Sequence, residues 1–186
     1  MIAVWSLFVY VVLPLWVIAG FLDYLCHRAS DIEHATGIRE SLIHWLMVLE
    51  VAVPLVLAVF FRINALLLAL MIASLVAHEI TGYLDLKIAM ATRKVTIFEH
   101  QVHSVLEILP FTAVLLMMSL HWPQTQSLFG FGRETADFSL GPKQIPRWGE
   151  IIPPAAVFIL LVLVPYAEET WRGRKVKRPH PYPESR

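Results

Sequence analysis

The sequence predicts an all-α protein, a polytopic membrane bundle of about five transmembrane helices with the N-terminus outside and the C-terminus cytoplasmic. Three observations carry this expectation. Apolar residues make up 57% of the 186-residue chain, and the mean hydropathy of +0.62 lies outside the range of ordinary soluble domains. The apolar residues are gathered into four long runs and a shorter fifth. The basic residues, finally, fall mostly on one side of those runs. The length is that of a single domain, read as a helical domain over residues 1–171 and a basic, proline-rich cytoplasmic tail over 172–186 that is expected to be disordered. A formal net charge of zero gives no pull toward nucleic acid. The single cysteine, Cys26, excludes an intrachain disulfide framework and any CxxC metal site.

Taken in order, residues 2–22 are uncharged and apolar and would make a helix about 30 Å long, enough to cross the hydrocarbon core. They lack the basic start and small-x-small cleavage site of a signal peptide, so the run reads as a true span. Asp23 and His27 follow it four residues apart, on one face if the helix continues. Ser30-Asp31-Ile32-Glu33 resembles a capping box. The helix it would open carries Glu33, Glu40 and His44 on one stripe, with His34 on a neighbouring face, and ends near Phe61. Pro54 cannot donate to the carbonyl of Glu50, which predicts a kink or an opened carbonyl there. Glu50 itself is either a neutral hydrogen-bonded packing residue or a residue of a metal's surroundings or proton path.

The third span is expected from about Ala65 to Ala77, ending in His78 and Glu79, with His78 and Asp85 seven apart on one stripe. Lys87, Arg93 and Lys94 then read as a short polar connection. Thr96 and Glu99 form a second capping-box pattern. The helix after it, TIFEHQVHSVLE, places His100, His103 and Glu107 at i, i+3 and i+7 before an apolar run from Ile108 to Leu120. Residues 121–150 read as a surface-lying connection rich in aromatic residues and glycine. Its GFG lacks the preceding strand and following helix of a phosphate loop. Pro153 and Pro154 suit the first turn of a short fifth span to about Ala167.

Five spans put residues 23–41, 78–96 and the tail on one side. That side holds Arg28, Arg39, Lys87, Arg93, Lys94, Arg172, Arg174, Lys175, Lys177, Arg178 and Arg186, against Arg62, Arg133, Lys143 and Arg147 on the other. The split of the fifteen basic residues is eleven to four, which assigns the first side to the cytoplasm. The same topology gathers His27, His34, His44, His78, His100 and His103, six of the eight histidines, near the cytoplasmic membrane face. His121 and His180 fall elsewhere. With Asp23, Glu40, Asp85, Glu99 and Glu107 these histidines form the candidate site. The expected metal ligands are Asp23, His27, His34, Glu40, His44, His78, Asp85, His100, His103 and Glu107. Glu99 and Glu107 are the candidate catalytic carboxylates.

Imidazole and carboxylate donors without a thiolate cluster suit iron, manganese or zinc. Six histidines exceed the four ligands of a structural zinc and approach what two metals need with positions left open. The arrangement resembles that of the membrane-bound non-haem di-iron hydroxylases and desaturases, over roughly residues 20–110. Of that family's histidine boxes, His-x-x-x-His and His-x-x-His-His, this chain has only the pair His100 and His103 within EHQVH. The resemblance implies two metal ions, iron above all, dioxygen as co-substrate and a lipophilic or lipid substrate entering from the bilayer. The expected location is the bacterial inner membrane, with the metal site near the cytoplasmic face. Electrons would come from a separate ferredoxin- or reductase-type partner, since no dinucleotide or flavin fingerprint is present. Two alternatives stay open at this point: a b-type haem electron-transfer protein, and a zinc-dependent membrane hydrolase or metal carrier.

Overall fold

The computed structural model describes residues 2–144 and 147–176, and its described residues form an all-helical bundle. Five helices are long and apolar enough to cross a membrane: α1 (Ala3–Ala29), α3 (Arg39–Phe60), α4 (Ala65–Thr92), α5 (Ile97–Leu120) and α7 (Trp148–Lys175). Two short helices lie between them, α2 (Ile32–Ala35) after α1 and α6 (Trp122–Leu128) after α5. The long helices close a ring in the order α1, α5, α4, α3, α7, with α7 returning to α1. Each spanning helix therefore has two neighbours and one face toward a shared interior.

Local chemistry sets the starts of α4 and α5. Thr96 opens α5 with a complete capping box: its hydroxyl accepts from the Glu99 backbone N–H at 3.1 Å, while Glu99 reaches back to the Thr96 N–H. Asn64 caps α4 by accepting from the Leu67 N–H at 3.2 Å. Pro54 leaves the Glu50 carbonyl without its helical donor, and the Ser74 hydroxyl of α4 supplies one. The Ser30–Glu33 pattern does not become a capping box. Asp31 instead adopts a left-handed conformation at φ 55° with no side-chain cap, and the Ser30 hydroxyl donates back to the His27 carbonyl. The chain thus turns sharply after α1 and makes only the single turn of α2 before α3.

Two helices run further than their sequence pattern suggests. α4 continues past Ala77 to Thr92, so Lys87 is helical and His78 lies well inside the span. The polar residues from 78 to 92 sit on a helix because their buried face, His78, Thr81, Gly82, Asp85 and Ala89, follows the helical period. α7 starts at Trp148 rather than at Pro153 and reaches Lys175, so the 171/172 domain boundary falls inside it. The two prolines occur early in the helix, where the carbonyls they leave free, on Gly149 and Glu150, are exposed. The remainder of the basic tail, with His180, lies outside the described residues.

The interior divides along the bundle axis. One half is apolar, built from Phe8, Val12, Leu68, Met71, Leu109, Ala113 and Met117 of α1, α4 and α5. The other half, where α1, α4 and α7 end and α3 and α5 begin, buries Asp23, His27, Glu40, His44, Asp85, Arg93, Glu99, His103 and Glu169.

Close backbone packing at Gly173 draws α7 into this polar half. At Gly173 a Cβ would lie 2.8 Å from the Gly37 carbonyl oxygen and 3.2 Å from Ile38 Cα. Backbone cannot yield as a flexible side chain can, so Gly173→Ala is expected to destabilise the protein by about 1–3 kcal/mol and to lower its Tm in detergent. Gly149→Ala, with nothing within 4 Å of the added atom, should leave the Tm where it is.

Candidate metal centre

The buried polar half is organised by Glu169 of α7. Its Oε2 lies 3.0 Å from His27 Nδ1 on α1, and its Oε1 lies 3.1 Å from His44 Nδ1 on α3. The Ser41 hydroxyl donates to Oε1 at 2.8 Å. A carboxylate can only accept, so both Nδ1 atoms carry a proton, and in the neutral ring, the form a metal needs, each Nε2 keeps a lone pair. The two rings stack at 4.6 Å with an interplanar angle of 4°. Both Nε2 atoms therefore point away from Glu169, side by side.

What they point at is negative. His27 Nε2 faces Asp23 Oδ1 at 3.4 Å and Glu99 Oε1 at 3.8 Å. His44 Nε2 faces Asp85 Oδ1 at 3.3 Å. His103 Nε2 comes within 2.8 Å of Asp23 Oδ1, while the other Asp23 oxygen accepts from the Tyr166 hydroxyl at 3.3 Å. His27 Nε2, His44 Nε2 and Asp85 Oδ1 are buried without a hydrogen-bond partner, and Asp23 Oδ1 has the close contact with His103. Lone pairs set against carboxylate oxygens in a low-dielectric interior repel unless a cation or a proton stands between them. Two sets of three residues bring ligand atoms within 4.8 Å of one another here: Asp23, His27 and His103, and His27, Glu40 and His44.

One fixed cation is already in place. Arg93, in the connection after α4, lies 2.6 Å from Glu40 Oε1 and 2.5 Å from Glu99 Oε1. Burial works against its charge, but the hydrogen bonds and charges of Glu99 and Glu40 more than offset this and hold its pKa above the ordinary arginine value. Around the rim, Glu168 takes Tyr24, Arg28 and Arg172, and Arg172 also pairs with Glu33. Trp45 donates to the Thr170 hydroxyl at 2.9 Å. These contacts fasten the last turns of α7 to α1, α2 and α3.

The structure brings together Asp23, His27, His44, Asp85, Glu99 and His103 of the expected site, with Glu40 at its edge. It does not bring in the others. His34 is exposed and pairs with Asp31 at 2.9 Å, because it sits on the outer side of the single turn of α2. His100 is exposed; on α5 the buried stripe passes through Glu99, Val102 and His103. Glu107 is half-buried beside Gly82 of α4 and joins neither ligand group. His78 lies deeper, 3.6 Å from Glu50.

The residue that the sequence reading misses is Glu169. Ending the fifth span near Ala167 put the glutamate outside the membrane. The signal available was the spacing of Tyr166, Glu169, Thr170 and Gly173, which repeats at the helical period and forms one buried face.

Fold and site together define a ring of five membrane-length helices around a buried histidine–carboxylate cluster. Comparison with the models of known families, with curated proteins and with solved structures finds no match.

Glu169→Gln keeps the size of the side chain but removes the charge, and the amide cannot accept from both imidazoles. It is expected to lower affinity for a divalent metal by about 10–100-fold, as loss of an outer partner of a ligating histidine does. Equilibrium dialysis with zinc checks this, and His34→Ala and His100→Ala should bind as the unaltered protein does.

Proposed function

We propose that the chain is an integral membrane protein whose buried cluster holds two divalent metal ions, iron in the working protein. It acts as an oxygen-dependent oxidoreductase of hydroxylase or desaturase type on a lipophilic substrate at the cytoplasmic membrane face. The observation that carries this reading is the convergence on three helices of buried imidazole and carboxylate atoms: His27 Nε2 facing Asp23 Oδ1 and His44 Nε2 facing Asp85 Oδ1. Ionisable groups at such depth are costly and mark function.

The number of ions follows from charge. Asp23, Glu40, Asp85, Glu99 and Glu169 contribute −5 and Arg93 +1, all buried, which leaves −4. Two divalent cations bring the total to zero with every histidine neutral, as metal ligation requires. Protonating His27, His44 and His103 instead would still leave −1.

The donor set favours iron. Asp23, His27 and His103 are two histidines and one carboxylate, the set that suits non-haem iron with open positions. His44 and Asp85 would hold the second ion, with Glu40 and Glu99 beside them. Bound iron would supply the electron exchange with dioxygen that no side chain here performs.

The chain's own residues do the rest. Glu169 fixes the orientation and tautomer of His27 and His44, and Tyr166 turns Asp23 so that Oδ1 faces inward. Arg93 neutralises part of the surplus charge. Lipophilic substrate reaches the cluster between helices whose outer faces are apolar. Electrons come from a separate donor.

Haem fits poorly, because axial histidines face each other across a porphyrin, whereas the rings of His27 and His44 stack directly. Zinc hydrolysis remains the second reading, because Asp23, His27 and His103 also make a three-residue catalytic zinc set.

Metal analysis and an optical spectrum of the protein purified in detergent test the assignment. The expected result is two irons per chain and no Soret band. A Soret band, or zinc alone, would contradict it. The orientation follows from the excess of basic residues at the cluster end of the bundle. A cysteine at Ala91 should be shielded from impermeant reagents in intact cells while one at Thr135 reacts; the reverse pattern would put the cluster on the outer face.

A further inference from the structure

A second buried polar group lies deeper in the bundle and belongs to neither ligand set. The α4 stripe that presents Asp85 to the cluster continues through Thr81 to His78, about 10 Å further along the axis at 1.5 Å per residue. There it meets Glu50 of α3. The Thr81 hydroxyl donates to Glu50 Oε1 at 2.8 Å, and His78 Nδ1 lies 3.6 Å from Glu50 Oε2. His78 is only 5% exposed, with the Met47 backbone within hydrogen-bonding reach of its ring, and Glu50 Oε2 is buried without a hydrogen-bond partner. The backbone here is anchored, since Ser74 holds the Glu50 carbonyl.

The charge state of this pair follows from its surroundings. A glutamate anion beside a neutral imidazole is an uncompensated charge in a low-dielectric interior. Glu107 of α5, beside Gly82, has the same sign and offers no compensation. One added proton makes the pair neutral overall, whichever partner carries it. Thr81 bonds to Glu50 and stands one helical turn before Asp85 on the same buried stripe of α4, which places its hydroxyl between the pair and the cluster along the axis. A threonine hydroxyl both donates and accepts.

We propose that Glu50 and His78 hold one proton between them and that Thr81 passes it to the Asp85 side of the cluster. The inference rests on the oxygen-dependent reading of that cluster. Hydroxylation, RH + O2 + 2e− + 2H+ → ROH + H2O, consumes two protons per turnover, and desaturation likewise consumes two. The electrons come from the external donor. The pair supplies one of the two protons and is refilled from solvent between turnovers; the other comes directly from solvent at the cytoplasmic end of the cluster.

The test is a single oxidation of iron-loaded protein. The protein is reduced without oxygen, freed of excess reductant and mixed with oxygenated buffer, and the optical change is followed in H2O and in D2O. Glu50→Gln and Thr81→Val should keep the wild-type iron content and slow the reaction on the order of 100-fold, the scale of a lost proton donor. Thr81→Ser, which keeps the hydroxyl, should react at close to the wild-type rate. The wild-type solvent isotope effect should change in Glu50→Gln.

A wild-type rate in fully iron-loaded Glu50→Gln overturns the relay. Loss of iron from that variant also overturns it, because Glu50 would then help to hold the metal. Wild-type protein that binds no iron, or binds it without reacting, overturns the proposed function itself. That outcome is read before any variant is made, so the two failures are distinguishable.

Discussion

The polar half of the bundle depends on one carboxylate. Glu169 reaches His27 and His44 at once, and in doing so it fixes which nitrogen of each ring is protonated and where the other points. Without it the proton of each neutral ring could move to Nε2, which already faces Asp23 or Asp85, and donate there. A carboxylate behind a histidine is the usual device for holding a metal-ligating ring in one tautomer. Here one carboxylate stands behind two stacked rings, and it comes from the last of the described helices. The ring of helices is closed by the same residue that orients the site.

Much of the remaining structure can be understood as what allows Glu169 to be there. Gly173 lets α7 approach the 37–38 backbone more closely than a residue with a Cβ would permit. Glu168, one residue away, binds outward to Tyr24, Arg28 and Arg172, so neighbouring glutamates on one helix serve the rim and the interior separately. The apolar half, around Phe8, Leu68 and Leu109, supplies packing without interrupting the polar end. A buried cluster with this many carboxylates is expensive, and Arg93 offsets only part of its charge. The rest is what a bound cation would neutralise.

The spans and the residues of the cluster were legible in the sequence to different degrees. The capping box at Thr96 and Glu99 and the freed carbonyl at Pro54 follow from local chemistry alone, and both are found. Asp23, His27, His44, Asp85 and His103 were recognisable because each lies on a helical stripe with another ionisable residue. Proximity along the chain could not separate His100 from His103, since three residues on a helix differ by about 60° in direction. That angle decides between membrane surface and interior. His34 was misleading for a related reason: the expected helix start at Ser30 is a left-handed turn at Asp31, which shifts the phase of everything after it. Glu169 was hidden by hydropathy, because a span ends by composition where its charges begin, whereas the helix continues while it has a buried face.

The central claim is that the histidines aligned by Glu169, with Asp23, Asp85 and His103, hold a pair of metal ions. X-ray absorption at the iron edge of the loaded protein tests it most directly. The account predicts nitrogen and oxygen neighbours only, together with an iron–iron vector of about 3.5–4 Å, the spacing of two-metal sites. A sulfur neighbour, for which Cys26 is the only thiol in the chain, or a single iron with no metal–metal vector, would contradict it.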